Sequence, residues 1–395
     1  MGYVDTVEFN FASPKIIFGL DSTRKLKEIL EDLKCRKYLL VTDPNIEKAG
    51  IVSKIISYLA GFEGEIYHIE PHEPYIEDAE KVAGFVREHE YDVVIGVGGG
   101  AVLDLAKVAS LAPSNPGKVS DYIGLNKVKY KGLHLVLIPT TAGTGSEVSP
   151  YIVLSTVEGI KVAIGSPKIM ADYAIVDPML TITMPTKITV SSGLDALSHA
   201  FEALMSKRSN TMTDTIALES ISLIVKYLPI AAFRGDCVKA RYYMSLASML
   251  AGLAFSNASL VAGHAIAYTY AHKYKLPHGI SCGLALPYIM DYNLPLCLDK
   301  FVQVARAIGV PVSGKTDYEV AVDVVKRIKG LLRLLKAPST LRDIRVQKDE
   351  LPVFAKSLIT DYARLLPNNP RKIEYEDALE IFNSCLLYTS PSPRD

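Results

Sequence analysis

The sequence predicts an α/β fold joined to an all-α region, with a doubly wound parallel sheet in the N-terminal half and a helical domain after it. Two observations support this prediction. Short apolar runs rich in β-branched residues alternate with helical segments in the first half, as a doubly wound sheet requires. After Pro185 glycine becomes rare and apolar residues recur at helical spacing. We therefore expect a boundary at Met184-Pro185, with domains at 1–184 and 185–385.

The predicted strands are spaced widely enough for helices to lie between them. They are the apolar runs at 37–42, 66–70, 91–97, 134–139, 152–155 and 161–164, and a helix is expected over 102–112. In the second half, helical spacing runs through 188–228, 237–271, 318–335 and 375–384. The segment 386–395 contains two prolines and does not continue the last helix, so we interpret it as a non-native tail.

The composition is that of an ordinary globular protein. The 395 residues carry 43 basic and 43 acidic side chains, and the length suits two domains that each bury a core. This balance lacks the positive charge that sequence-independent binding of nucleic acid or of an acidic membrane surface requires. We expect no nucleic acid partner.

The cysteines and the N-terminus indicate a cytoplasmic location. The five cysteines are odd in number and never form a CxxC pair, which argues against a disulfide framework or a zinc ribbon. The first ten residues lack the basic and apolar regions of a signal peptide. A stretch without acidic or basic side chains, at 242–271, is long enough to cross a bilayer, but serines, Asn257 and His264 interrupt it. We expect buried helices there and no membrane partner.

Two loops carry the first chemical signals. In GVGGGAVLDLAK, three glycines at 98–100 stand between a strand and a helix, where backbone N–H groups can approach a pyrophosphate. Leu103 breaks the GxGxxG spacing, so a tight turn is the alternative interpretation. In PTTAGTGSE, hydroxyl side chains and glycines follow the strand at 134–139, an edge where open α/β sheets bind ligands. Asp104 and Lys107 are expected to form a solvated ion pair.

Asp43 follows the strand at 37–42, where an acidic side chain can accept hydrogen bonds from a ribose diol. An Asx turn or a helix N-cap before Pro44 is an equally good interpretation of its position. A carboxylate there would repel a 2′-phosphate, so NAD is predicted in preference to NADP.

The helical domain contains a candidate metal site. Asp195 and His199 stand at i and i+4 and so share one helical face, while His264 and His278 follow later in the same domain. One carboxylate and three neutral imidazoles suit a divalent ion such as Fe²⁺ or Zn²⁺. Taken singly, each histidine also fits a core position or a helix end.

With these motifs, the chain resembles the iron-activated (group III) metal-dependent alcohol dehydrogenase family over residues 5–384. The resemblance rests on GGGAVLDLAK, PTTAGTGSEV, DYAIVDP, GLDALSHAFE, the Gly-His pair at 263–264 and Pro-His-Gly at 277–279. It implies an N-terminal dinucleotide-binding domain and a C-terminal helical metal-binding domain, the architecture that dehydroquinate synthase shares. It also implies a small alcohol or aldehyde as substrate, and we expect a homo-oligomer, a dimer or higher.

The resemblance implies roles for individual residues. The implied metal ligands are Asp195, His199, His264 and His278, and the implied cofactor contacts are Asp43, Gly98, Gly99, Gly100, Asp104, Thr140, Thr141, Thr144 and Lys161. Three positions depart from the family pattern: Ala101 replaces a serine, Glu73 an asparagine, and Tyr268 a histidine that is a candidate in proton transfer. We include Tyr268 among the catalytic residues, although a phenol with a pKa near 10 is a poor base at neutral pH.

The predicted activity is reversible hydride transfer between a primary alcohol or diol and NAD, giving an aldehyde or ketone. A dehydrogenase for another polyol or a hydroxyacid is the nearest alternative. A lyase similar to dehydroquinate synthase is a further one, and a protein that binds a metal or nucleotide without catalysis is the last.

Overall fold

The computed structural model describes residues 8–386, which form two compact units. The α/β unit comprises residues 13–189 and 233–252, and the helical unit comprises 8–12, 190–232 and 253–386. The segment 233–252 thus belongs to the α/β unit, although it follows the first helices of the helical unit in the sequence. Local sequence patterns do not show that the chain returns to the α/β unit there. The proposed tail lies outside the described residues except for Leu386, which ends the last helix.

The α/β unit contains two sheets. The strands are β1 Lys15–Phe18, β2 Lys37–Thr42, β3 Glu63–His68, β4 Val93–Gly98, β5 Gly124–Leu125, β6 His134–Pro139, β7 Tyr151–Ser155, β8 Lys161–Gly165 and β9 Tyr173–Val176. Six of them form a parallel sheet in the order β1-β9-β6-β4-β2-β3. A smaller sheet has the order β5-β8-β7, in which β7 and β8 are antiparallel. The predicted parallel α/β fold is confirmed.

Side chains of the central strands enter two separate cores, one on each face of the parallel sheet. Leu39 and Val41 of β2 belong to one apolar cluster, whereas Tyr38 and Leu40 belong to the other. Neighbouring residues of a strand point to opposite faces, so strands buried on both sides are apolar throughout. This is why KYLLVT and HLVLIP could be recognised from the sequence as buried strands.

The helices flank the sheet and then form the second half. They are α1 Leu26–Asp32, α2 Pro44–Lys48, α3 Ile51–Ser57, α4 Ile76–Arg87, α5 Gly100–Leu111, α6 Thr186–Met205, α7 Thr211–Phe233, α8 Val238–Ala258, α9 Ala262–Ala271, α10 His278–Asn293, α11 Leu298–Ile308, α12 Asp317–Leu334, α13 Leu351–Thr360 and α14 Tyr375–Leu386. In the helical unit, α9 packs on α10, α11 on α12 and α13 on α14. The predicted helical C-terminal domain is confirmed.

Several predicted boundaries need correction. The stretch at 188–228 divides into α6 and α7, because Asn210 Oδ1 accepts hydrogen bonds from the N–H groups of Met212 and Thr213 and so starts a new helix. The strand expected at 66–70 is β3, which begins earlier, at Glu63, in register with Lys37. Its first residues are polar and exposed, so the apolar pattern misplaced it. Strands β1 and β9, of four residues each, and the two-residue strand β5 were not predicted as strands.

The charge-free stretch at 242–271 forms parts of α8 and α9, which are separated by residues 259–261. Among the described helices, α7 is long and apolar enough to cross a membrane, and α8 with α9 would be a second candidate if the bent pair were one span. The most apolar window of α7 is mostly buried inside the protein, which is typical of a core helix.

Candidate metal and cofactor sites

Three helices bring the predicted metal ligands together. Asp195 and His199 lie one turn apart on α6, His264 lies in the first turn of α9, and His278 is the first residue of α10. Asp195 Oδ1 lies 3.3 Å from Nε2 of His278, 3.6 Å from Nε2 of His264 and 4.0 Å from Nε2 of His199. The carboxylate is therefore the centre on which the three imidazoles converge.

These distances suit atoms that share one ion. Two ligand atoms bound about 2.1 Å from an ion at tetrahedral angles lie about 3.4 Å apart. Asp195 Oδ1 and His264 Nε2 are buried, and neither has a hydrogen-bond partner among the described residues. Buried polar atoms are normally paired, so two unpaired ones that face each other indicate a position for a cation. The donor set fits the divalent ion that the sequence predicts.

A close approach of α10 to α6 sets the position of His278. The next residue, Gly279, is packed so tightly that a Cβ atom there would lie 1.9 Å from the carbonyl oxygen of Ser191 and 2.9 Å from Cβ of Asp195. Any other side chain would push α10 away from α6. This glycine therefore allows an imidazole on α10 to approach the Asp195 carboxylate.

Glu202 orients His264. Its Oε1 accepts a hydrogen bond of 2.6 Å from Nδ1 of His264, and its Oε2 accepts hydrogen bonds from the N–H groups of Val261 and His264. In the neutral imidazole this hydrogen bond keeps the proton on Nδ1, so that Nε2, which faces Asp195, can offer its lone pair to an ion. Glu202 was not predicted as a site residue. Its position three residues after His199, on the same helix, was the available signal.

His199 lies beside the other ligands. Its ring stacks on that of His264, with 4.6 Å between centroids, and on that of Phe255, with 4.4 Å. Ligand atoms of Asp195, His264, His278 and Cys282 all lie within 4.8 Å of one another. Sequence reasoning missed Cys282, although it stands four residues after His278 and so lies on the same face of α10.

The charges of the site depend on one another. Burial opposes the charge on Asp195, but the imidazoles of His199, His278 and His264 lower the pKa of its carboxyl well below 3.8. Burial likewise disfavours the charged form of His264, yet Cys282, Glu202 and Asp195 raise its pKa well above 6.5. Without an ion, the site thus attracts protons to its imidazoles, and a divalent cation would compete with these protons.

Tyr268 lies against this group. Its ring stacks on that of His278 with 5.6 Å between centroids, and it contacts the ring of Tyr362 at 5.3 Å. Its distance from the ring of His264 is 6.1 Å. The structure therefore places Tyr268 beside two predicted ligands, where its ring supports His278.

In the α/β unit, Asp43 and the glycine loop border one pocket. Asp43, Asn45, His72, Gly99 and Ala101 line it, at the carboxyl ends of β2 and β4. Asp43 also caps α2, because its Oδ1 accepts hydrogen bonds from the N–H groups of Asn45 and Ile46. The N-cap interpretation of Asp43 is thus confirmed, and its position beside the glycine loop suits a ribose contact as well.

The glycine loop and the threonine loop are in contact. A Cβ atom on Gly100 would lie 2.7 Å from Cγ2 of Thr144, and one on Gly99 would lie 3.5 Å from Cγ2 of Thr141. The N–H of Thr140 donates to the carbonyl oxygen of Gly98, while its buried Oγ1 has no hydrogen-bond partner among the described residues. The two predicted loops therefore form one surface of backbone and hydroxyl groups.

Asp104 and Lys107 do form an ion pair, but the prediction that it is solvated is wrong. Lys107 is fully buried, and its Nζ lies 3.2 Å from Asp104 Oδ1. It also donates to Ser146 Oγ at 2.7 Å, to Ser149 Oγ at 3.4 Å and to the carbonyl oxygen of Tyr151 at 2.6 Å. Lys107 was not predicted to have a role at the site.

The carboxylate of Asp104 is occupied by the protein itself. Besides Lys107, its Oδ1 accepts a hydrogen bond from Ser146 Oγ at 2.6 Å, and its Oδ2 accepts one from the N–H of Val153 at 2.9 Å. These bonds attach α5 to the threonine loop and to β7. Both of its oxygens are thus engaged within the protein, which supports a positioning role, and the cofactor contact of Asp104 stays a prediction.

Lys161 lies on β8 of the smaller sheet. Its Nζ donates to Glu73 Oε2 at 2.6 Å. Glu73 stands where the family that this chain resembles commonly has asparagine. Lys161, an implied cofactor contact, is therefore bonded to a position that departs from the family pattern. The carboxylate holds the ammonium group in this structure.

Comparisons with known proteins match both halves of the chain. The family model "Iron-containing alcohol dehydrogenase" matches residues 13–178, and "Fe-containing alcohol dehydrogenase family, C-terminal" matches residues 189–386. Long-chain-alcohol dehydrogenase 1 of Geobacillus thermodenitrificans is 35% identical over 380 residues, which is 95% of this chain and 96% of that protein. NAD-dependent methanol dehydrogenase of Bacillus methanolicus is 29% identical over 379 residues, 95% of this chain and 99% of that protein. A crystal structure of 1,3-propanediol oxidoreductase superposes with a TM-score of 0.91 and 33% identity, covering 96% of this chain and all of that one (100%).

Proposed function

This chain belongs to the iron-containing alcohol dehydrogenase family, and we propose that it transfers hydride reversibly between a primary alcohol or diol and NAD. It is an oxidoreductase, a metal-dependent alcohol dehydrogenase that uses NAD and an iron ion. The choice of alcohol, the residues that act and the preference for NAD over NADP are parts of the proposal. The observation that carries it is the convergence of buried ligand atoms on Asp195 Oδ1.

The residues that would hold the ion are Asp195, His199, His264 and His278. A bound divalent ion would supply a Lewis acid for the oxygen of the alcohol or carbonyl group. Asp195 contributes the negative charge that the ion requires, and Glu202 fixes the proton of His264 on Nδ1. A single carboxylate with neutral imidazoles leaves a net positive centre, which is what substrate activation requires.

The α/β unit would bind the nicotinamide cofactor. N–H groups at the start of α5 favour the pyrophosphate, and Asp43 is placed for the ribose hydroxyls. Thr140 offers a buried hydroxyl whose hydrogen-bonding capacity the described residues do not use. Asp104 and Lys107 hold the threonine loop in place beneath these contacts.

Primary alcohols and diols are the substrates we favour. The relatives above are named for long-chain alcohols and methanol, and the superposed structure for 1,3-propanediol. Methanol is a primary alcohol and 1,3-propanediol is a diol. Both family models that match this chain are named for alcohol dehydrogenases, so they do not support the alternative of a lyase similar to dehydroquinate synthase. A cytoplasmic, homo-oligomeric enzyme is also part of the proposal.

Metal removal tests the proposal directly. Chelation is expected to abolish NADH formation from primary alcohols, and added Fe²⁺ to restore it, with Zn²⁺, Mn²⁺ or Co²⁺ as poorer substitutes. His264→Ala and His278→Ala should lower metal content and reduce kcat by orders of magnitude while NAD binding, measured by calorimetry, stays near the wild-type value. His272→Ala removes an exposed imidazole of the same unit and is the matched control. Full turnover by metal-free protein would disprove the proposed mechanism.

A further inference from the structure

The residues that follow β2 and β3 lie side by side at the carboxyl edge of the parallel sheet. The two strands are paired in register up to Thr42 and His68, and the N–H of Ile69 donates to the carbonyl oxygen of Thr42 at 2.8 Å. The pairing therefore continues one residue beyond β3. It brings the segment at 70–72 beside Asp43, which follows Thr42 directly.

Glu70 lines the same pocket as Asp43 and the glycine loop. The pocket is bordered by these two carboxylates, by Gly99 at the N-terminus of α5 and by His72. Among the described residues that line it there is no lysine or arginine. With a neutral histidine, the wall of the pocket thus carries two negative charges and no positive one.

The two carboxylates differ in their surroundings. Asp43 Oδ1 accepts hydrogen bonds from the N–H groups of Asn45 and Ile46, and these two dipoles offset part of its charge. The Glu70 side chain is exposed, and within residues 8–386 no hydrogen bond or ion pair engages its carboxylate. The negative charge of Glu70 is therefore offset by water and salt and not by protein groups.

We propose that Glu70 is a second determinant of cofactor choice, which together with Asp43 excludes the 2′-phosphate of NADP. This inference rests on the proposed function, because it concerns the ribose end of the same NAD site. The 2′-phosphate adds about two negative charges, and sites that accept it commonly offer an arginine. In this pocket the phosphate would face both carboxylates, whereas NAD places an uncharged hydroxyl there.

Coulomb's law gives the size of the effect that one carboxylate should have. In water, a unit charge about 7 Å from a phosphate of about two like charges weakens binding by about sevenfold without salt. Screening reduces this factor to about fivefold at ~10 mM salt and to about twofold at ~150 mM salt. A contribution of Glu70 through its charge is therefore identified by its size at low salt and by its decrease when salt is added.

Calorimetry with NAD and NADP tests the role of Glu70 without measuring turnover. The ratio of the Kd of NADP to the Kd of NAD is measured for the full-length wild type, Glu70→Gln and Glu63→Gln at pH 8, where histidine side chains are usually neutral. Glu63 is exposed and begins β3, so Glu63→Gln makes the same change in net charge at the opposite end of the strand. The wild type should bind NAD more tightly than NADP.

Glu70→Gln should lower this ratio by about fivefold at ~10 mM salt and by about twofold at ~150 mM salt, and Glu63→Gln should leave it unchanged. The same substitution is then made in Asp43→Gly. Because the two carboxylates repel the phosphate separately, Glu70→Gln should lower the ratio by a similar factor in that background.

The possible outcomes separate the role of Glu70 from the proposed function. Normal NAD binding with an unchanged ratio in Glu70→Gln would overturn the role of Glu70 and leave the NAD site standing. An equal fall in Glu63→Gln, or a fall in Glu70→Gln that is the same at both salt concentrations, would also overturn it, since neither is a local effect of charge. A wild type that binds neither nucleotide, or that binds NADP more tightly than NAD, would contradict both the role of Glu70 and the proposed use of NAD.

Discussion

Replacing Lys107 by methionine should lower the free energy of unfolding of the α/β unit and weaken NAD binding. Methionine keeps most of the apolar stem and removes only the ammonium group. In the structure this group is fully buried and donates to Asp104, Ser146, Ser149 and the carbonyl oxygen of Tyr151. Burial lowers the pKa of Lys107, whereas the nearby carboxylates of Asp104 and Glu147 oppose that change. The charged form of Lys107 therefore depends on its close contact with Asp104 in a poorly solvated position.

The size of the effect follows from these contacts. Hydrogen bonds to charged groups contribute about 1.5–3 kcal/mol each, and burying an ammonium group costs several kcal/mol. The net contribution of Lys107 is therefore smaller than the sum of its bonds. Removing one member of a buried ion pair typically costs about 3–5 kcal/mol, because the other charge stays buried without its partner. We expect Lys107→Met to fall in this range.

An ion pair of the same spacing, with an exposed lysine, provides the control. Asp78 and Lys81 of α4 are also three residues apart, with 3.4 Å between Nζ and Oδ1, and the Asp78 side chain is 12% exposed, but the Lys81 side chain is 67% exposed. Lys81→Met should therefore change the free energy of unfolding little, since water and salt screen the exposed ammonium group. Urea titrations followed by far-UV circular dichroism measure the free energy of unfolding of both variants. A double-mutant cycle with Asp104→Asn measures the coupling energy between Lys107 and Asp104.

Binding of NAD provides a second measurement. Lys107→Met should raise the Kd of NAD, measured by calorimetry, because the threonine loop loses one of the two hydrogen bonds that attach Ser146 to α5 and keeps only the one to Asp104. Lys81→Met should leave the Kd unchanged. A loss of less than about 1 kcal/mol in Lys107→Met, or additivity with Asp104→Asn, would show that the pair does not act as a buried unit and would refute this reasoning.

Three further predictions concern the remaining polar groups of the two sites. Burial raises the pKa of Glu147 from 4.5 to about 7, so the folded state binds its proton more tightly than the unfolded state. The free energy of unfolding should therefore fall by roughly 3 kcal/mol as pH rises from about 4.5 to about 7. Glu147→Gln should remove this pH dependence in urea titrations at pH 5 and pH 8, and an unchanged dependence would contradict the assignment. Asp43→Gly should raise the ratio of kcat/KM for NADP to that for NAD by about tenfold or more, because it removes a negative charge near the position of a 2′-phosphate; a wild-type preference for NADP would exclude this role. Tyr268→Phe keeps the ring that stacks on His278, so metal content should stay constant, and only a fall in kcat with an altered pH profile would support proton transfer by its hydroxyl.

Local patterns allowed the central strands and the long helices to be predicted, because burial on both faces or on one helical face leaves a periodic trace in the sequence. β2 and β6 agree with the predicted bounds at both ends. The edge strand β3 was misplaced because its exposed first residues, Glu63 and Gly64, resemble a loop. The assignment of 233–252 to the α/β unit depends on long-range packing, which has no local signature.

The sites show the same limit more sharply. The pair at i and i+4 on α6 was visible in the sequence because helical geometry alone places Asp195 and His199 on one face. Glu202 and His264 are 62 residues apart in the sequence. Only the packing of α9 near α6 shows that the Glu202 carboxylate orients the His264 imidazole. Lys107 illustrates the opposite error, since a lysine three residues after an aspartate has the pattern of a surface pair, and its burial depends on Ser146, which is 39 residues away. Spacing thus identifies ligands that one helix presents, whereas the groups that orient them come from distant segments. The two carboxylates illustrate this difference: Asp195 has an unpaired oxygen that faces the proposed ion, and Asp104 has both oxygens bonded within the protein. The first arrangement leaves an oxygen for a ligand, whereas the second uses both oxygens to hold neighbouring segments in position.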